Sequence, residues 1–207
     1  MADMQINMRV RSLLVLPLAL TLVLGVSLGA RQAAPAQPPQ AAAQATAQAP
    51  AKDAVAGVRN YTKVDATFAC GGALTPDAFA ALKQAGFASV VNLRAATEQG
   101  VNIEADQKAA TDAGLKYYHL PFVTASPDAT KFDEFLALLA APENQPMMLH
   151  CASGGRASMF WAVKRAMIDG WPVEKAMSEL PDLSKNVSQP LRTAALDYLK
   201  AHGKVRP

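Results

Sequence analysis

Two cysteines and three histidines are all that the 207 residues hold of the side chains that most often staple small folds or bind transition metals. Two thiols cannot build a disulfide framework, and the histidines are too scattered to offer a zinc-ligand spacing. Neither a GxxxxGK[ST] loop nor a GxGxxG loop occurs, so the common nucleotide-binding turns are excluded. Charge is scarce, at 18% of residues against the usual ~25%. The 20 basic and 17 acidic side chains are mixed along the chain and leave a net charge of only +3. Nucleic acid wants a clustered basic face, and none is present.

The shortage of charge has a local cause. Arg9 and Arg11 precede an apolar run from Leu13 to Leu28, followed by Gly29 and Ala30. Basic, apolar, then small is the order of a secretory signal peptide. The run is short for a membrane span, which wants ~20 residues, and contains Pro17. Residues 1–30 are therefore expected to direct export to a secreted or periplasmic location, with a retained N-terminal membrane anchor as the alternative. Residues 31–56 hold 12 Ala, 5 Gln and 4 Pro and no aromatic side chain. Nothing there offsets the entropy of ordering, so a disordered linker is expected. About 150 residues remain, 57–207, enough for one well-buried domain.

Within that domain, strand-like and helix-like segments alternate. Val64–Phe68 reads as a strand running into Cys70-Gly71-Gly72. Thr75 is a candidate helix N-cap before Pro76, with Gly86 as the stop. Ala88–Leu93, Leu115–Leu120 and Met147–His150 are short apolar strands. Helices are expected over 103–113, closed by Gly114; along the face carrying Phe132, Phe135, Leu136 and Leu139; over 156–168; over 173–180; and over 190–201. The alternation predicts an α/β sandwich with a mostly parallel sheet.

One segment concentrates chemistry: Met148-Leu149-His150-Cys151-Ala152-Ser153-Gly154-Gly155-Arg156-Ala157-Ser158. A buried strand delivers a cysteine to a tight turn that opens a helix. Free N–H groups and partial positive charge at a helix N-terminus favour an anion, and such a position activates a thiol as thiolate. Gly154 and Gly155 let successive N–H groups point inward as an anion nest. Arg156 adds a planar fork matched to two oxygens of a tetrahedral oxyanion. Cys151 alone would read as a small buried hydrophobe; the loop around it argues for a nucleophile.

His150-Cys151, Gly154 and Arg156 resemble the phosphate-binding loop of the cysteine-dependent tyrosine and dual-specificity phosphatases. The similarity is closest to the bacterial beta-lactamase-hydrolase-like, or DUF442, branch. It extends over about 58–180 through Cys70-Gly71-Gly72-Ala73-Leu74-Thr75-Pro76, Gly86–Arg94, Tyr118-His119-Leu120-Pro121 and Gly170-Trp171-Pro172-Val173-Glu174. The resemblance implies a dual-specificity-phosphatase-like three-layer sandwich, with a mostly parallel central sheet flanked by helices. It also implies phosphomonoester hydrolysis through a phosphocysteine. Cys151 would be the nucleophile, Ala152, Ser153, Gly154, Gly155 and Arg156 the oxyanion cradle, and a phosphorylated protein or small phosphomonoester the substrate. No metal or cofactor is implied.

Four residues separate Cys151 from Arg156, a spacing shared with rhodanese sulfurtransferases, so a Cys151 persulfide is the alternative chemistry. An anion-binding module with little catalysis is a third reading. The family's usual Ser or Thr after the arginine is replaced by Ala157, leaving Ser153 or Ser158 for that role. The resemblance puts the general acid in the loop Val123–Asp128, with Asp128 the first candidate and Asp133 the second; Asp128 could equally be an ordinary helix starter. Loops around Asp128 and Glu98 are expected to set pocket depth. His150 is expected behind the loop, orienting it, Arg94 as partner of a carboxylate or carbonyl, and His119 as a packed strand residue. Cys70 falls in a turn the family places near the site. A reversible Cys70–Cys151 disulfide and an inert thiol both stay open.

Overall fold

A computed structural model describes residues 54–180 and 187–204. The expected signal segment lies outside the described residues, as does the linker through residue 53. Val55, expected in the linker, packs against the domain core, and Val58 bridges to Leu74.

Five strands form one sheet: β1 (Thr62–Lys63), β2 (Phe68–Gly71), β3 (Ser89–Asn92), β4 (Lys116–His119) and β5 (Met147–His150). Their order is β1-β2-β5-β3-β4, with β1 antiparallel to β2 and every other pairing parallel. Of the expected strand Val64–Phe68 only Phe68 is in a strand, as the first residue of β2; residues 64–67 are instead the bend between β1 and β2. Asp65 accepts hydrogen bonds there from the Thr67 N–H (2.7 Å) and Oγ1 (2.8 Å), closing a local turn that outcompetes extension.

Helices cover both faces: α1 (Ala78–Gln84), α2 (Ile103–Asp112), α3 (Thr130–Ala140), α4 (Gly155–Met167), α5 (Val173–Ser178) and α6 (Gln189–Ala201). Thr75 does not cap α1 with its side chain; its carbonyl accepts from Ala78 N–H in a preceding turn. Gly86 and Gly114 do end their helices, at φ of 89° and 75°, conformations that cost a glycine little.

Alternate strand residues feed two cores. Phe79, Leu82, Val90 and Met148 belong to the smaller one. Val91, Leu149 and Cys151 belong to the larger, with aromatic side chains from α3, α4 and α6. Phe68 stacks on Trp161 at 5.2 Å between centroids. Phe160 packs against Phe132 at 4.6 Å and against Phe135 at 5.4 Å between centroids. Burial of each such ring contributes about 1.5–3 kcal/mol. α4 contacts β2, β5, α3, α5 and α6, so it is buried nearly all round. The parallel strands bring the loops after β3, β4 and β5 to one edge, where α/β folds place their ligand crevice.

Candidate active site

β5 ends at His150, and the chain turns through Cys151–Gly154 into α4. Gly154 adopts φ 103°, a region closed to most side chains. That geometry turns its N–H onto the Cys151 sulfur at 3.1 Å. The loop's outward carbonyls are bonded elsewhere: Ala152 O accepts from Ala73 N–H (3.0 Å) and Ser153 O from Asn60 Nδ2 (3.0 Å). Gly72 lies so close that a Cβ there would meet Ala152 O at 3.0 Å.

Cys151 lines a cleft of about 430 Å³. Cys151 is only 1% exposed, which fits a nucleophile reached from one side at the bottom of a pocket. Ala152, Ser153, Gly155 and Arg156 also line the cleft; Gly154 instead faces the sulfur. Ala95, Thr97, Glu98, Val123, Thr124, Ser188 and Leu191 complete the walls.

Arg156 is anchored on its outer edge. Nη1 donates to Glu98 Oε1 (2.6 Å), Leu93 O (3.1 Å) and Phe122 O (3.0 Å), and Nη2 donates to Glu98 Oε2 (2.8 Å). Burial opposes the guanidinium charge, but the Glu98 and Cys151 interactions outweigh it and raise its pKa. The Arg156 bonds in turn hold the Glu98 carboxyl at about 2, against partial burial and with help from Ala95 N–H and Arg94. Glu98 is thus ionised and cannot act as the proton donor. Sequence reading placed it on a pocket loop but missed this role. Arg94, expected to serve a carboxylate or carbonyl, serves both: Nε reaches Glu98 (3.4 Å) and Nη2 reaches Gln99 O (2.6 Å).

The two candidate acids are not brought to the sulfur. Asp128 is fully exposed and outside the cleft lining. Its Oδ1 accepts from Thr130 Oγ1 (2.6 Å) and N–H (3.0 Å), bonds that hold its carboxyl below the usual range. In this conformation it is a helix starter. Asp133 accepts the Tyr198 hydroxyl at 2.6 Å on a separate groove between α3 and α6. Ser158 Oγ is back-bonded to Gly155 O (2.9 Å), so of the two expected serines only Ser153 faces the cleft.

His150 is buried, and neither ring nitrogen has a partner of good geometry. Burial, reinforced by Arg94 and Arg156, pushes its pKa down to about 3, so the ring is neutral; the backbone of Cys151 and Gly72 lies beside it. His119 is not packed but exposed, its Nε2 paired with Arg94 O at 2.8 Å. Cys70 and Cys151 are free thiols. Burial, and secondarily Cys151, push the Cys70 thiol well up, and its sulfur sits 3.6 Å from Ala157 O. Among the described residues no group of three or more His, Cys, Asp or Glu could hold a metal ion, and no helix is long and apolar enough to cross a membrane.

The fold is tyrosine-phosphatase-like: a mostly parallel sheet whose central strand runs into a cysteine ahead of a helix with an arginine in its first turn. Solved structures share the fold. A DUF442 protein from Shewanella putrefaciens CN-32 superposes with a TM-score of 0.62 at 19% identity, covering 70% of this chain and 94% of that one. TpbA of P. aeruginosa with pTyr bound gives 0.51 at 18%, covering 70% and 94%. The core catalytic domain of the PP-IP phosphatase SIW14 from S. cerevisiae, in complex with citrate, gives 0.58 at 14%, covering 73% and 98%. The profile of the beta-lactamase hydrolase-like protein, phosphatase-like domain, matches residues 58–168, and the chain belongs to that family. The beta-lactamase hydrolase-like proteins of two Xylella fastidiosa strains are 31% identical over 109 residues, which is 52% of this chain. The match spans only 25% of those proteins' length.

Proposed function

We propose that the domain hydrolyses phosphomonoesters through a covalent phosphocysteine on Cys151. The observation that carries this is Cys151 in the cleft lining just before α4, its sulfur bonded by Gly154 N–H at 3.1 Å. The Glu98-anchored Arg156 guanidinium stands beside it. The thiolate attacks phosphorus in line; the S–P bond forms as the P–O bond to the leaving group breaks. Loop N–H groups and Arg156 hold the equatorial oxygens. Water then attacks the phosphocysteine, releasing phosphate and regenerating the thiolate. The leaving oxygen needs a proton. Asp128 is the candidate donor: Val123 and Thr124 of its loop already line the cleft, and the carboxyl has to leave Thr130 to serve.

The family and the binding of phosphotyrosine by TpbA support a phosphomonoester over a sulfane-sulfur donor. A phosphorylated protein or a small phosphomonoester is the proposed substrate class. The placement of Asp128 and Asp133 outside the cleft lining favours the rival reading of an anion-binding module. Export to a secreted or periplasmic location, inferred from residues 1–30, is proposed and is read by fractionating cells that express the full chain.

The deciding experiment measures turnover of an aryl phosphate by the full chain without added metal, with rapid-quench mass spectrometry of the Cys151 peptide. Phosphate on Cys151, and a loss of at least about a thousandfold in Cys151→Ser, are expected. Unchanged turnover in the serine variant sinks the nucleophile. Asp128→Asn should spare good leaving groups but slow an alkyl phosphate about a hundredfold; equal rates on both remove Asp128 from the reaction.

A further inference from the structure

Among the described residues, Asn60 is the one non-glycine with positive φ, at 51°. Asparagine tolerates that region better than most residues, yet it still carries a cost that the surroundings must offset. The conformation sends its side chain across 93 residues of sequence, where Nδ2 donates to Ser153 O at 3.0 Å. The adjoining backbone is laminated to the same loop. Arg59 N–H donates to Ala73 O, Arg59 O accepts from Gly72 N–H, and Ala73 N–H donates to Ala152 O. A side chain at Gly72 would strike Ala152 O, Arg59 O and Ser153 Cα, all within 3.2 Å.

Ser153 C=O and Gly154 N–H belong to one planar trans peptide and point in opposite directions. Pulling the carbonyl outward with the Asn60 amide therefore aims the N–H inward, and that N–H is the one on the Cys151 sulfur. The preceding peptide obeys the same logic: Ala73 N–H holds Ala152 O outward and turns Ser153 N–H the other way. Removing the Asn60 amide frees the Ser153–Gly154 plane to rotate, because glycine at one end resists rotation least.

We infer that Asn60 is a positioning residue: through one peptide plane it aims the Gly154 N–H, and with it the loop's anion-binding edge, at the reacting centre. It touches neither the sulfur nor the substrate. The inference deepens the phosphatase reading and rests on it only for its catalytic consequence; the anion-binding consequence stands alone.

Asn60→Gly and Asn60→Asp test it in the full chain. Glycine accepts positive φ freely but has no donor; aspartate keeps the size and the φ tolerance but presents only acceptors. Both variants should melt within about 4 °C of the parent. Both should bind inorganic phosphate about fivefold more weakly by calorimetry, as loss of one aligned donor implies. Turnover of an aryl phosphate should fall about tenfold, mostly in kcat. Phosphate affinity and kcat within twofold of the parent in both variants overturn the inference. So does an affinity loss that appears only with a large drop in melting temperature, which marks Asn60 as structural. A parent that binds phosphate Asn60-dependently without turning over any phosphomonoester overturns the catalytic reading and leaves this inference standing.

Discussion

α4 carries an arginine near each end, Arg165 buried and Arg156 half-buried, and the two are held in opposite ways. Arg165, in the last turn, lies between the rings of Trp161 (3.7 Å) and Trp171 (4.2 Å). Its Nη1 and Nε reach Asp169 at 3.0 Å and Glu179 at 3.2 Å. A cation there also complements the negative end of the helix dipole. Arg156, in the first turn, is a cation at the positive end, where the dipole opposes it. Glu98, Leu93 O and Phe122 O hold one edge and leave the guanidinium facing the cleft and the sulfur. The same side chain closes a clamp at one end and keeps an open face at the other. Placement against the dipole separates the arginine proposed to bind from the one that braces.

The contrast breaks most decisively through Arg156→Lys. A point charge cannot hold Glu98 and two phosphate oxygens at once. Aryl phosphate kcat/KM should fall by about a hundredfold or more, while the melting temperature barely moves; equal activity would show that the fork is idle. Glu98→Gln comes next. Leu93 O and Phe122 O still hold Nη1, so turnover should fall about tenfold. The Glu98 carboxyl sits at about 2 when folded, below its ordinary 4.5. Its contribution to stability is therefore present above pH 4.5 and lost as pH falls towards 2. Melting curves of parent and Glu98→Gln should diverge at neutral pH and converge in that acid window; a constant gap would deny the ion pair. Arg165→Met is the mirror case. Leaving Glu179 without its cation, and Asp169 with Lys164 alone at 2.9 Å, should cost about 2–3 kcal/mol in denaturant melts, discounted because those carboxylates are partly exposed. Turnover per folded molecule should stay within twofold, and a larger loss would tie the clamp to the chemistry.

How much of this was legible in the sequence follows from how far each interaction reaches along the chain. The cysteine loop was readable because cysteine, glycines and arginine all fall within Cys151–Arg156, and helix-terminus physics acts locally. Gly86 and Gly114 were readable as stops for the same reason. The bend at Asp65–Thr67 was mistaken for strand because Val64 and Phe68 flank it with apolar bulk, although Asp65 and Thr67 themselves carry the turn chemistry. Glu98 and Asn60 were beyond reach: their partners lie 58 and 93 residues away, and no local periodicity encodes such pairings. Asp128 was left between acid and helix starter, and the described conformation has it bonded to Thr130. A carboxylate's preference for the nearest N–H is the part of its behaviour that a short window reveals.

The bare α-carbon of Gly72 has a wider consequence. Because the neighbouring strand end rests directly on Ala152 and Ser153, the cysteine turn borrows its shape from chain laid down some eighty residues earlier. Grafting His150 through Met167 onto a foreign scaffold would move the letters of the loop without its mould. A designer wishing to transplant this chemistry would have to carry the underlay as well, and could tune it there without altering a single atom that meets the guest.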